Sequence, residues 1–540
     1  VADRLLGGEL MPSVTSDQNL ITRQATKAKK LAYSEIYIGD FSGGLNIRDA
    51  LTELQNNETP DCINVILDER GACHKRLGYV KWNATALPNA ISYGYESDVC
   101  NTIFWYCQAD GKLYRDDGGV LTQVAQFAAA GTVSIADFAG TCYLAHSFDG
   151  LFFSTDGTAW STVAPSGGQI PSGDMLATWQ NRLWIASSTS NLLSACAPGD
   201  ATQWDVAKNS VGNYIREGND FPIVCLFGSS GAEAASTLQP TLIVGKRSGA
   251  QGSIHRVIDA SNADYVTLDQ SVGPAGPSSI TSLYGRLYLI STSGIFETDG
   301  QNPLVPIGAK LSRLWRPDSI EFSHPERFVA TRTRDRVRFS LALLGSNVNN
   351  LCLEYHPGFA AFTARSDAAS AYVVHGQQDA ILLGVSPTVP GQIYQHDVGG
   401  ADDGQPISSR LTTKVFEPTG GYQQRLQHIH VLGRGTFTVE TLPNFTLSGK
   451  SKVLSMQASG FQWDFDGWDD PSVGWGEDLV EGWDDFWPRQ LGRAFQIRFT
   501  ETSTNIGTSP PLGIGGPAQA IGAWATYGLH LTITPLHPYG

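Results

Sequence analysis

A strand–turn–strand unit returns seven times between residues 100 and 400, and nothing else in the chain constrains the fold as strongly. The units begin near Ile103, Cys142, Leu183, Leu242, Leu287, Val337 and Ile381. In the clearest, Ile103-Phe104-Trp105-Tyr106 is followed by Asp110-Gly111 and Leu113-Tyr114, and Cys142-Tyr143-Leu144 by Asp149-Gly150 and Leu151-Phe152-Phe153. Short apolar runs joined by Asp-Gly read as hairpins, because the turn needs residues that tolerate positive φ. A hairpin cannot bury its own faces, and one that returns about every 40–60 residues suits a propeller blade stacked on its neighbours. Two packed sandwiches would also space strands closely, but they give no reason to reuse one unit. The sequence therefore predicts an all-β chain with a β-propeller of about seven blades over residues 83–400.

From residue 401 the pattern changes to plain alternation. Arg410–Val415, Leu426–Val431, Phe437–Glu440, Ala494–Phe499 and Leu529–Ile533 alternate apolar and polar residues, as half-buried antiparallel strands do. They predict a C-terminal β-sandwich over 401–540. Only 16% of residues are charged, with 58 Gly and 13 Trp, which suits many short strands and tight turns. The net charge of −15 argues against general affinity for nucleic acid, which needs clustered Lys and Arg. No run of eighteen apolar residues predicts a membrane span.

The N-terminal region divides into a polar arm, 1–40, with Arg23, Lys27, Lys29 and Lys30, and a compact stretch, 41–82. Within that stretch Phe41-Ser42-Gly43-Gly44-Leu45-Asn46 is glycine-tight. Asp49–Asn57 has the composition of one or two helical turns. Ile63–Leu67, Asp68-Glu69-Arg70-Gly71 and Arg76-Leu77-Gly78-Tyr79 read as a further hairpin. Phe41, Gly43, Gly44, Leu45, Asn46, Asn64, Gly71, Arg76, Gly78 and Tyr79 together resemble the N-terminal signature of the tail tube, nozzle or hub proteins of short-tailed bacteriophages. The spacings Arg425-Leu-x-x-Ile429 and Gly492-Arg493-x-x-Gln496-Ile-Arg498 also resemble phage tail proteins.

That resemblance implies a structural virion protein, assembled in the host bacterial cytoplasm. It implies a homohexameric ring below the adaptor (the head-to-tail connector) and portal, carrying tail fibre or needle proteins. The ring would hold back the packaged double-stranded DNA and then conduct it during ejection, without sequence-specific binding. A net acidic wall would keep DNA from sticking.

Between the last strands lies Gln462–Pro488, with five Trp and nine Asp or Glu and no basic residue. Neither a solvated loop nor a core explains that mixture. Trp463, Asp464, Asp466, Trp468, Asp469, Asp470, Trp475, Trp483, Asp484, Asp485 and Trp487 are therefore candidates for a subunit interface or a lumen wall. The run Asp464–Asp470 also admits a calcium loop, although it lacks the bidentate Glu of an EF-hand. Stacked Trp rings admit a glycan platform.

The chain carries no recognisable catalytic grammar. Gly228-Ser229-Ser230-Gly231 is not a nucleophile elbow, and Gly245-Lys246 is not a P-loop. His428 and His430 share a strand face by period two and read as ordinary surface residues rather than metal ligands. No catalytic residue, cofactor site or metal site is assigned. The eight cysteines (62, 73, 100, 107, 142, 196, 225 and 352) have no zinc spacing and read as buried thiols, although 62 with 73 and 100 with 107 are placed to face each other across hairpins. Two further readings stand beside the phage one: a receptor- or glycan-binding propeller of a tail or cell surface, and a propeller glycosidase, which would need two carboxylates converging in its channel.

Overall fold

The computed structural model describes residues 34–216, 220–229, 241–376, 381–417, 423–456, 482–503 and 524–535. The basic cluster of the arm and residues 462–481 of the acidic insert lie outside them.

Seven four-stranded antiparallel units form a closed propeller. Blades one to five span 93–126, 133–162, 175–214, 223–269 and 280–306, and each is a separate sheet. Blade six is built from Val329–Arg332, Val337–Leu341, Leu351–His356 and Ala361–Arg365. Blade seven takes three strands from Tyr372–His375, Ile381–Val385 and Ile393–His396, and its outermost strand, Tyr79–Lys81, comes from before blade one. The seven recurring hairpins of the sequence are the second and third strands of the seven blades. The second strands are mostly buried, as in Thr102–Cys107 and Arg182–Ala186, where every residue is buried.

The blades seal against one another through apolar clusters. Phe104, Tyr106 and Leu113 pack on Ile135, Cys142 and Leu144 between blades one and two. Trp105, Cys107, Val373 and Leu383 join blade one to blade seven, closing the ring. Tyr288, Ile290 and Ile295 meet Val337 and Phe339 between blades five and six. Among the described residues no apolar cluster spans blades six and seven. Neighbouring blades are also tied through their inner strands. Backbone N–H groups of Ile135 and Asp137 on the inner strand of blade two donate to the Tyr93 and Tyr95 hydroxyls of blade one, each at 3.1 Å. Leu176 N of blade three donates to Ser134 Oγ at 3.1 Å.

The C-terminal unit is an antiparallel sandwich organised on one long strand, Gln424–Pro443. Its first half pairs with Trp524–Pro535 on one side and Gly482–Phe486 on the other. Its second half pairs with Ser451–Met456 and Phe495–Ser503, so the strand passes from one sheet to the other, with Gly433 and Gly435 at the crossover. The inner face is apolar: Ile429, Val431, Val439, Ile497, Phe499, Leu529 and Leu531 are fully buried.

The N-terminal stretch is distributed between these two units, and the sequence boundaries at 40 and 82 shift accordingly. Ser34–Ile38, expected in the arm, pairs with Leu529–Ile533 of the sandwich. The expected hairpin is present but shorter, Val65–Leu67 with Cys73–Lys75; Arg76–Gly78 lie beyond it, and Tyr79 opens the strand that completes blade seven. Asp61–Ile63 bridges the two units. It pairs with Arg410–Thr412 of the sandwich and meets Ala364 of blade six through a parallel contact, so hydrogen-bonded sheet runs from propeller into sandwich without a break. Residues 49–57 form turns rather than helix. Backbone donors at both ends are diverted to side chains: Asn46 Oδ1 accepts from Asp49 N and Glu58 Oε2 from Gln55 N, and so short a segment has little helical stability of its own. All eight cysteines are buried. Cys62 and Cys73 are neighbours, but Cys100 and Cys107 are not opposite one another: Cys107 pairs with Lys112, and Cys100 lies beside Cys142 of blade two.

Gly78 shows how tightly the stretch is clamped. A Cβ there would lie 1.9 Å from the Ala401 carbonyl oxygen, where nothing but backbone could give way. Gly78→Ala is expected to cost about 3 kcal/mol or more, the upper range for overpacking. Gly118→Ala, with φ at 67° and open space around it, is expected to cost about 1–2 kcal/mol from backbone strain alone. Thermal unfolding followed by circular dichroism compares the two, and equal midpoints would refute the clamp.

Candidate functional site: the ionic seam and the histidine face

Two polar constellations stand out, one buried and one exposed. The buried one fills the seam between blades six and seven that lacks an apolar cluster. Arg338 sits on the second strand of blade six, Glu354 on the third and Arg365 on the fourth, and period two turns all three side chains to one face. Arg338 Nε donates to Glu354 Oε2 at 2.7 Å, and its Nη2 donates to both oxygens of Asp397, which follows the third strand of blade seven. Arg365 Nη1 donates to Glu354 Oε2 at 2.9 Å; its Nε and Nη2 bind Asp367 side-on at 2.9 and 2.7 Å. The side chains of Arg338, Glu354, Arg365 and Asp367 are at most 1% exposed.

Arg76 extends this network into the N-terminal stretch. Fully buried, it donates from Nη1 and Nη2 to both carboxylate oxygens of Asp402, at 2.8 and 2.6 Å, and from Nε to Asn64 Oδ1 at 2.8 Å. Asn64 Oδ1 also accepts from Ser366 N, just past blade six, while Asn64 Nδ2 donates to Ser408 O of the sandwich. One side chain thus ties three parts of the chain together. The Tyr79 ring lies 4.5 Å from that of Tyr394, and burial with the nearby Asp402 pushes its hydroxyl up to about 12.

The remaining residues of the expected signature belong to the same assembly. Phe41 and Leu45 are in the core shared by blade six and the sandwich. Asn46 Nδ2 donates to Asp49 and Glu58. Lys310, from the segment after blade five, donates to the Gly43 carbonyl and pairs with Glu58 at 3.0 Å. Gly44, at φ 62°, lies against the Phe362 backbone, and Gly71, at φ 78°, against Ser42. The structure brings all ten residues to one junction.

Electrostatics decide the protonation of the seam. Burial alone would raise the Glu354 and Asp367 carboxyls, but the attraction of Arg365 to both, joined by Arg338 at Glu354 and Arg76 at Asp367, outweighs it and holds them well below the usual range. His356, beside Glu354, is pushed down to about 3 by burial, which the carboxylate only partly offsets.

The exposed constellation lies on the sandwich. His428 Nε2 is 2.8 Å from Asp485 Oδ1, and His430 Nδ1 contacts the same oxygen. The Trp487 ring stacks on His428 at 4.1 Å with 17° between planes. Of the expected interface residues, Asp484, Asp485 and the exposed Trp487 belong here. Trp483 lies in the same strand, and Trp463, Asp464, Asp466, Trp468, Asp469, Asp470 and Trp475 fall outside the described residues. The two histidines are thus paired, and what sequence reasoning missed is their pairing with Asp485. The His-x-His spacing signalled the face; the carboxylate comes from a strand more than fifty positions away. Among the described residues no helix is long and apolar enough to cross a membrane.

The sheets and the seam define a closed seven-bladed β-propeller carrying a β-sandwich on a shared N-terminal staple. No protein-family model and no curated protein matches the chain. Among solved structures it is similar to YCF48 bound to D1 peptide, at 13% identity and a TM-score of 0.38, covering 60% of this chain and 99% of that one. It is also similar to YCF48 from Cyanidioschyzon merolae, at 10% and 0.38, covering 59% and 98%. A third is U3-55K, at 9% and 0.39, covering 60% and 98%. Likeness at this level carries no functional assignment.

Arg365→Met leaves Glu354 and Asp367 buried without their main partner and is expected to cost about 3–5 kcal/mol, read as an earlier transition in chemical denaturation; an unchanged transition would remove the seam from the account. A second expectation concerns pH. The folded His356 stays neutral down to about pH 3, whereas an unfolded histidine takes up its proton near 6.5. The stability it contributes is complete above that value and is lost as pH falls from about 6.5 towards 3. Glu354 and Asp367 add a further loss once pH passes below the ordinary carboxylate range of about 4. His356→Gln should flatten the decline above pH 4.5 by at most about 1.4 kcal/mol per pH unit, measured as melting temperature against pH. A variant that keeps the wild-type slope would contradict the assignment.

Proposed function

We propose that the chain is a structural virion protein, the nozzle or hub of a short phage tail. In this reading it assembles in the host cytoplasm as a homohexameric ring beneath the adaptor, carries fibre or needle proteins, retains packaged DNA and conducts it at ejection, and has no catalytic role. The observation that carries the reading is the convergence of Phe41, Gly43, Gly44, Leu45, Asn46, Asn64, Gly71, Arg76, Gly78 and Tyr79 on one junction. The resemblance to the tail signature is therefore to a mechanical unit that staples a propeller to a sandwich, not to scattered glycines.

In the proposed ring the conduit is walled by several copies standing around a shared axis, and a net charge of −15 disfavours retention of phosphate. Mass photometry of the full-length protein with negative-stain imaging is expected to show rings of about six subunits with an open channel. A monomer that binds bacterial-surface glycans on an array would overturn the reading in favour of a receptor-binding propeller.

A further inference from the structure

The histidine face of the sandwich has the makings of a site that the conduit reading does not use. His428 and His430 are two apart on Gln424–Pro443, so both project from one face. Gly482–Phe486 pairs antiparallel with that strand and sets Asp485 directly opposite His430. The ladder itself thus aims three donors at one point: His428, His430 and Asp485 offer ligand atoms that all lie within 4.8 Å of one another. Their surroundings hold them there. Trp487, stacked on His428, fixes the plane of that ring. Lys452, on the strand Ser451–Met456, donates to Asp484 Oδ1 at 3.1 Å and to the Asp485 carbonyl oxygen, holding the backbone from which the carboxylate projects.

We propose that His428, His430 and Asp485 form a binding site for Zn²⁺. Two imidazoles and one carboxylate are a borderline donor set that suits zinc and its neighbours, whereas calcium and magnesium select oxygen-only sites. Ligand atoms about 2.1 Å from a tetrahedral ion lie roughly 3.4 Å apart. The 2.8 Å contact between His428 and Asp485 therefore has to open by roughly half an ångström, and the shorter contact of His430 with the same oxygen by more, which rotation of the partly exposed Asp485 side chain provides. Three protein donors leave a fourth position for water or a group from another molecule. The bound ion cross-links the long central strand to the strand on which the acidic insert rejoins the sandwich. His530 stands opposite His430 on the other neighbouring strand, with Nε2 3.9 Å from Glu35 Oε2, and lies outside the set of three.

The test uses full-length protein stripped with chelator, then titrated with ZnCl₂ by calorimetry and with Co²⁺ by visible absorption. One saturable site per chain, the intense bands of tetrahedral Co²⁺ and a raised melting temperature in zinc are expected. His430→Gln and Asp485→Asn should each weaken binding by more than about 100-fold, beyond the loss typical of outer-shell changes. His530→Ala and His375→Ala should leave it unchanged. Metal-free circular dichroism and melting of each variant establish that it folds. Absence of the one-per-chain site or of the Co²⁺ bands in the wild-type protein overturns the proposal on its own. So does a double variant, His430→Gln with Asp485→Asn, that folds and retains the site.

Discussion

The architecture depends on a buried charge network at one seam. Six of the seven blade interfaces are closed by apolar side chains; between blades six and seven the contact is made by Arg338, Arg365, Glu354, Asp367 and Asp397. Taking such groups out of water costs several kcal/mol per ion, and the cost is recovered only when every charge is paired in good geometry. An apolar seam tolerates sliding, whereas this one fits only when each guanidinium meets its own carboxylates. Arg76 and Asp402 carry the same network into the staple and the first residues of the sandwich, so the propeller and the second unit share one set of ion pairs.

This arrangement makes the molecule mechanically single. Asp61–Ile63 continues the sheet from blade six into the sandwich, and Lys310 fastens the glycine-rich turn from the side of blade five. A protein of this design is suited to bearing load between two attachment points, because few joints between its halves are soft.

Much of the propeller was legible because each central hairpin is a pair of apolar runs broken by a polar turn, Asp-Gly in the first two, and a signal that repeats seven times survives irregular spacing. Closure was not legible. Tyr79-Val80-Lys81 is three residues long, partly exposed and without periodicity, and its role is defined by partners more than three hundred positions away. The same distance hid the seam: Arg76 and Asp402 are ordinary residues until the fold brings them together. Residues 49–57 have helical composition, yet Asn46 and Glu58 claim their backbone donors. The His428–His430 pair was visible on the sequence, but its significance rests on Asp485, delivered by strand pairing and not by spacing.

The distributed N-terminal stretch has a consequence for biosynthesis. Ser34–Ile38 cannot find its partner until Leu529–Ile533 has been made, and Tyr79–Lys81 cannot close blade seven until Ile393–His396 exists. At about 5–20 residues per second, the first strand waits roughly 25–100 s on the ribosome. Blades one to five can meanwhile fold in order, each on the one before, while the leading segment is held open. Among the described residues the last strand is thus the partner of the first, and the propeller is an open arc until Ile393–His396 has been made.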